Sequence, residues 1–326
     1  MRKLTLAAIQ TGEHGLDKRF DVLSKEFAPD IDLIMQKHVI PRLDRHINLL
    51  QQINHTGTAL ALTTEDICGL SWFLLADNHF FNELTSRSTQ AVEERFSTLA
   101  KSTGMYIAAC YFKRCGNHNF NVTSIFAPSG QIVGEYRKTH VPPNEMWHIA
   151  DGDMLNVIEL DFGRVGVLIC YDMMFPEAAS VLAQEGAEII LHPTGGYGWY
   201  DAIGEATLKT RANDNSVYLL TAKNYVYNGA GKSSIIDPWG HVLVDAGFYS
   251  DVIVSKEIDL DIPKVQPDWH YQSQMSGISN IKQRYQEERR PELYANLVEP
   301  AKRLRIPDEA ERAILIKKVR KGEARW

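Results

Sequence analysis

Short apolar runs rich in β-branched residues recur along the whole chain, at 4–10, 58–62, 106–112, 122–127, 131–136, 156–160, 165–169, 188–191, 217–222, 233–236, 241–244 and 252–258. Runs of this length make strands and are far too short to span a bilayer. Helical patterns fall between some of them, at 42–54, 89–102, 176–184 and about 201–213. Pro176 suits a first helical turn, where a missing N–H costs little, and Glu177 complements the positive helix end. Pro128-Ser129-Gly130 and Asp237-Pro238-Trp239-Gly240 supply turn residues between neighbouring strands, so both pairs read as hairpins. Hairpins mixed with strand–helix units predict a layered α/β domain rather than a purely parallel sheet.

Two regions break this rhythm. Residues 13–40 are charged and irregular and read as an insertion or cover. Residues 263–326 form an extension rich in Arg, Lys, Gln and Pro, leaving 1–262 as the main domain and the extension to pack on it or on another subunit. A last helix is signed by Pro307 and Asp308-Glu309 at its start, by Lys317-Lys318 and Arg320-Lys321 near its end, and by Gly322. That basic end reads as a solvated, dipole-compensating face.

Lys plus Arg number 35 against 41 Asp plus Glu, a net charge of −6 that argues against a general nucleic-acid binder. The apolar stretch at the N-terminus stops at Gln10 and reads as a strand rather than a secretory signal, so a cytoplasmic protein with no membrane partner is expected. Four cysteines, Cys68, Cys110, Cys115 and Cys170, are too few for a disulfide framework. Cys110, Cys115 and His118 lack a fourth ligand at zinc-site spacing, so no metal is expected.

Three reactive side chains stand just beyond three separate strand patterns: Glu65 after 58–62, Lys138 after 131–136, and Cys170 after 165–169. Strand ends in layered α/β folds are where side chains converge on a crevice. A free cysteine is most often a buried small hydrophobe, Glu65 has a helix-capping reading and Lys138 that of a solvated charge. Together they describe a thiol hydrolase, because a cysteine nucleophile needs a base and a nearby positive charge.

The flanks of these residues resemble those of the nitrilase superfamily of carbon–nitrogen hydrolases. The matching motifs are Thr64-Glu65, Tyr136-Arg137-Lys138-Thr139-His140-Val141-Pro142, and Ile169-Cys170-Tyr171-Asp172 with Phe175-Pro176-Glu177. Leu191-His192-Pro193-Thr194, Arg211-Ala212-Asn213-Asp214-Asn215 and Ser233-Ser234-Ile235-Ile236-Asp237-Pro238 agree as well, so the resemblance covers about residues 4–260. The chain departs from the pattern in having Thr64 where the family has proline, and in the length of 13–40. The resemblance implies a four-layer αββα sandwich, assembly into a homodimer or larger homo-oligomer, and a catalytic Glu65–Lys138–Cys170 set without cofactor. It also implies a second glutamate between lysine and cysteine; Glu145 is the candidate, with Asp151 and Asp153 as alternatives.

On that reading Cys170 forms a thioester with a non-peptide amide, and Lys138 and the Tyr171 backbone N–H face the developing oxyanion. Glu65 serves alternately as base and acid, its pKa raised by burial beside Glu145. Trp72, Met174, Thr194, Gly195 and Tyr197, with Trp199, are the candidate pocket residues. Nitrile-hydrolysing members have Cys-Trp-Glu where this chain has Cys-Tyr-Asp, which points to amides. Carboxylate-binding members place an arginine shortly after the cysteine, where this chain has Met173, Met174 and Phe175. A neutral acyl group is therefore expected, unless an arginine elsewhere takes over. Arg289-Arg290-Pro291-Glu292-Leu293-Tyr294 resembles the end of N-carbamoyl amidohydrolases and makes an N-carbamoyl substrate the alternative. Nitrile hydrolysis, acyl transfer to an amine and a silent scaffold rank below these.

Overall fold

The computed structural model describes residues 1–12, 16–24, 27–54, 56–195, 201–225, 232–261, 281–298, 308–321 and 323. Its twelve strands are β1 (Lys3–Gly12), β2 (Thr58–Leu62), β3 (Tyr106–Cys115), β4 (His118–Phe126), β5 (Ile132–Arg137), β6 (Val157–Leu160), β7 (Gly163–Val167), β8 (Ile189–Thr194), β9 (Tyr218–Tyr225), β10 (Ser234–Ile236), β11 (Val242–Asp245) and β12 (Val252–Asp259). They form one path, β5-β4-β3-β2-β1-β9-β8-β7-β6, with β12 added on β1, β10 on β9 and β11 on β10. Strand β1 joins the two halves. Its residues 3–10 run antiparallel to β12, 5–8 run parallel to β2, and only Thr11 and Gly12 reach β9.

Side-chain alternation turns this path into layers. Leu4, Leu6 and Ala8 of β1 face Val165, Val167, Leu191 and Leu220 across a core between the two sheet halves. The intervening Ala7 and Ile9 point outward, into a core shared with helices α2 (Ile40–Gln52) and α3 (Asn78–Thr103). On the other side Ile190 and Leu219 point outward against Leu182 of α4 (Pro176–Gln184) and Leu208 and Ala212 of α5 (Asp201–Asn215). A strand buried on both faces must be apolar at successive positions, which is why the runs read as continuous rather than alternating. The result is an αββα sandwich whose sheet is nearly closed into a barrel.

Both hairpin turns form. Gly130, at φ +82°, closes the first by donating to Ala127 O at 2.7 Å; Gly240, at φ +84°, closes the second, where the Asp237 carboxylate accepts from Trp239 and His241 N–H. The β3–β4 hairpin extends well beyond 106–112 and 122–127, because backbone pairing carries the polar segment 113–121 that apolar patterning excluded.

The irregular reading of 13–40 needs correction at its end. Helix α1 (Ile31–Ile34), capped by Asp30, leads through a π turn at Met35–Val39 straight into α2. Ile34, Met35 and Val39 are buried in the outer core. Pro41 marks a helix boundary in sequence because it lacks an N–H and clashes with the carbonyl four residues back. Here the widened turn, with Ile40 N–H donating to Met35 O, precedes the proline and lets the helix continue. Helix α3 likewise begins earlier than residue 89, at an N-cap where Asp77 accepts from Phe80 N–H at 2.9 Å.

In the C-terminal extension, α6 (Ile281–Glu287) lies on the end of α4: Lys282 Nζ donates to Ala187 O at 2.6 Å and Gln286 to Ala183 O at 3.3 Å. Helix α7 (Glu309–Arg320) carries a capping box between Asp308 and Glu311, and its Ile316 packs on the outer core of the first sheet half. Among the described residues no helix is long and apolar enough to cross a membrane, and no group of metal-ligating side chains is assembled. Cys110 lies in the core between the sheets, whereas Cys115 and His118 face each other at the far end of the β3–β4 hairpin.

Candidate active site

The ends of β2, β5 and β7 open on one crevice, and each delivers one reactive side chain to it. Lys138, fully buried, lies at the centre. Its Nζ donates to Glu65 Oε1 at 2.9 Å and to both oxygens of Glu145 at 3.1 and 3.0 Å. Glu65 Oε1 also accepts from Asn121 Nδ2 at 2.9 Å, and Oε2 from the Gly195 N–H at 2.7 Å. Cys170 stands beside Glu65 and Thr194, close enough for each to act on its thiol. Cys170 sits at φ +45°, a backbone region unusual for a residue with a Cβ. It opens a 3₁₀ turn, Cys170–Met174, that ends before Pro176 starts α4. Of the candidates for the second carboxylate, Glu145 reaches Lys138, while Asp151 and Asp153 lie exposed on the loop.

The protonation states follow from this packing. Burial alone would raise Glu65, but the Lys138 ammonium and the donated hydrogen bonds outweigh it and hold the carboxyl below its ordinary value. Burial raises Glu145 to about 7 in spite of Lys138. Burial, then the Glu65 charge, pushes the Cys170 thiol up to about 12. The resting pair is thus a thiol beside a carboxylate, which corrects the expectation of a raised Glu65: the second glutamate takes the raised value instead. Without substrate, alkylation of Cys170 by iodoacetamide at pH 8 is expected to run ~10³-fold slower than for an unperturbed thiol, climbing past pH 10 without a plateau. A plateau near neutral pH would contradict this resting state.

Asn121 escaped the sequence reading, and so did the contacts that Thr64 and Asp172 make. Asn121 on β4 bridges the two glutamates, donating to Glu65 at 2.9 Å and Glu145 at 3.5 Å, while the Cys110 thiol donates to its Oδ1. Thr64, in the place of the family's proline, has its hydroxyl 3.0 Å from His46 Nε2. Burial lowers His46 to about 4, so the ring is neutral; Nδ1 donates to Arg42 O and Nε2 accepts from Thr64, tying the Glu65 loop to α2. Asp172, fully buried, accepts at Oδ1 from His140 N, His140 Nδ1 and Thr139 Oγ1, and at Oδ2 from Tyr136 OH and Ile169 N. It therefore clasps the segment around Lys138 to the segment leading into Cys170. The Asp172 motif was visible in sequence; its partners were not.

A cavity of about 500 Å³ opens on Cys170, Glu65 and Glu145. Trp72, Tyr171 and Gly195 line it, and Thr194 lies buried beside the cysteine. Met174 is not among the lining residues: it is 48% exposed at the end of the 3₁₀ turn, and Met173 is buried in the outer core with α4 and α5. The geometry of that turn sends both methionines away from the cavity. Tyr197 and Trp199 lie outside the described residues. Arg42 and Arg45 of α2 do line the cavity.

A family model described as carbon-nitrogen hydrolase matches residues 44–262. The chain belongs to this carbon–nitrogen hydrolase family, within the nitrilase superfamily. Among its relatives, "Omega-amidase NIT2-B" of Xenopus laevis is 31% identical over 202 residues, 56% of this chain and 71% of the relative. "Omega-amidase NIT2" of Homo sapiens matches with the same identity and coverage. A "Hydrolase in pqqF 5'region" of Pseudomonas protegens is 34% identical over 63% of this chain and 69% of its own length. In fold, the chain is similar to a carbon–nitrogen hydrolase from Helicobacter pylori G27, with a TM-score of 0.70 at 21% identity over 92% of this chain and 99% of that one. An amidase from Nesterenkonia superposes with a TM-score of 0.68 at 18% identity over 90% and 97%.

Proposed function

We propose that this amidase-type carbon–nitrogen hydrolase cleaves a linear amide through a thioester on Cys170. The observation that carries the reading is the buried Glu65–Lys138 ion pair set against Cys170 at the cavity, with an ionised carboxylate beside a protonated thiol. The relatives named as amidases support amide over nitrile.

As Sγ attacks the carbonyl carbon, Glu65 takes the thiol proton, so no free thiolate has to persist in a site that disfavours it. Negative charge gathers on the carbonyl oxygen, which the Lys138 ammonium and the Tyr171 N–H stabilise. Glu65 then returns the proton to the nitrogen, the C–N bond breaks, and ammonia or an amine leaves. Water, deprotonated by the same carboxylate, opens the thioester, and the proton passes back to sulfur. Glu145 keeps Lys138 charged and in place throughout.

Ammonia release from simple amides, N-carbamoyl amino acids and nitriles tests the reading, with amide turnover expected. Nitrile turnover without amide turnover would overturn it. Glu65→Gln separates the roles further. Turnover is expected to fall ~10²–10⁴-fold with the base gone, while the thiol becomes easier to ionise because a neighbouring negative charge is removed. Parallel rate and alkylation–pH measurements check this opposition; a fall in both would reassign Glu65.

A further inference from the structure

Strand β4 turns Asn119 and Asn121 to the same side, because side chains two residues apart share a strand face. Both are buried. Asn119 holds the loop that carries Glu145: its Nδ2 donates to His148 O at 3.1 Å, and its carbonyl accepts from the Ala150 N–H at 2.8 Å. Asn121 reaches the carboxylates themselves. Its carbonyl also accepts from the Lys138 N–H at 2.8 Å, a main-chain bond that does not depend on the side chain.

The Lys138 ammonium cannot by itself tell the two glutamates apart, since it lies within 3.1 Å of both. Asn121 treats them unequally: its Nδ2 stands 2.9 Å from Glu65 Oε1 and 3.5 Å from Glu145 Oε2. The amide has to face this way. Turned over, it would aim an acceptor at two carboxylates; as it stands, Oδ1 accepts from the Cys110 thiol of the neighbouring strand β3 at 3.5 Å. Cys110 is fully buried, and burial pushes its thiol well above the ordinary value, so it remains a donor. Among the described residues, the ionisable groups that act on or feel Glu65 are Lys138, Glu145, Cys170, Cys110, Asp66 next to it in the chain, and His192 of β8, which burial keeps neutral.

We propose that Asn121 is a positioning residue for the reaction: its amide, oriented by the Cys110 thiol, holds Glu65 rather than Glu145 as the charged carboxylate that serves Cys170. This role rests on amide hydrolysis at Cys170 with Glu65 as the base. Two buried carboxylates around one ammonium disfavour each other's charge, so one of them gives way first. Burial raises Glu145 to about 7, while Glu65 stays below its ordinary value. The short bond from Asn121 goes to the carboxylate that stays charged, and each hydrogen bond accepted by a carboxylate stabilises its charged form. Asn121 acts through Glu65 and touches neither substrate nor sulfur in this role.

The test is the pH dependence of kcat/KM for butyramide, whose acid limb reports the base of the free enzyme. Asn121→Leu keeps the approximate shape and removes the donor. Losing a donor disfavours the ionised carboxyl, so the limb is expected to move to higher pH, by about one to two units, the worth of one hydrogen bond to a charged group. Cys110→Val should move it the same way by less, and Cys110→Ser, which again offers Oδ1 a donor, should return it to the wild-type position. A purely structural role would lower kcat and leave the limb in place. An unmoved limb in Asn121→Leu overturns the proposal; if that variant does not fold, an unmoved limb in Cys110→Val does so. Carbon-13 NMR of protein labelled at the glutamate carboxyls follows both titrations without substrate, with Glu65→Gln and Glu145→Gln assigning the two signals. Glu65 is expected to protonate at higher pH in Asn121→Leu than in the wild type. If it does so while Glu65→Gln retains wild-type turnover, the Asn121 role toward Glu65 stands and the base assignment falls. If Glu65→Gln is inactive and the Glu65 titration is the same in Asn121→Leu, the base stands and the Asn121 role falls.

Discussion

Cys170→Ala is expected to lower amide turnover by ~10⁴-fold or more, with the fold retained. The nucleophile is the one group in the cluster whose loss nothing else replaces, because Glu65 is acceptor-only when ionised and Lys138 is held by two carboxylates. Those contacts do not pass through sulfur. Glu65 keeps its bonds to Lys138, Asn121 and Gly195 in the variant, so the thermal midpoint should move by only a few degrees. Rapid-quench mass spectrometry supplies the second readout: the wild type gains the mass of the acyl group and the variant does not. Wild-type turnover in Cys170→Ala would end the thioester mechanism.

The second large effect is expected at Asp172, which touches no substrate in this reading. Its carboxylate is fully buried and takes hydrogen bonds from five donors on four residues, Tyr136, Thr139, His140 and Ile169. Asp172→Ala leaves those donors without an acceptor inside the protein and should cost about 3–5 kcal/mol, measured by denaturant unfolding. Asp172→Asn keeps the shape but turns one oxygen into a donor that faces other donors. Since the clasp sets Lys138 against Cys170, kcat should fall ~10²-fold in the asparagine variant with KM little changed, the mark of a misplaced group rather than a lost binding contact. Equal kcat in Asp172→Asn would reduce the clasp to a purely structural tie.

These two residues also show how far the sequence can be read. Cys170 and Asp172 are neighbours in one short motif, and the apolar run before them and the proline after them announce a strand, a turn and a helix. The strand–turn–helix passage formed as expected, with α4 at Pro176–Gln184. Local pattern works there because backbone propensity and burial agree over a few residues. It worked less well ahead of residue 42, where a π turn let the helical layer extend back to Ile31, into the segment read as irregular. It also missed the ends of the β3–β4 hairpin, where strand pairing rather than apolarity keeps the backbone extended.

By itself, then, the chain determined the α/β alternation, both hairpin turns and the strand ends that carry Glu65, Lys138 and Cys170, because each depends on residues close in sequence. Only the tertiary structure decided which side chains meet. Asn121 faces both glutamates because β4 runs beside β5; Thr64 is held by His46 because α2 packs over β1 and β2; Met174 turns from the cavity and Arg42 enters its wall because the 3₁₀ turn and α2 have fixed rotations about their axes. Those placements depend on register and packing between segments far apart in the chain, and no local pattern encodes them.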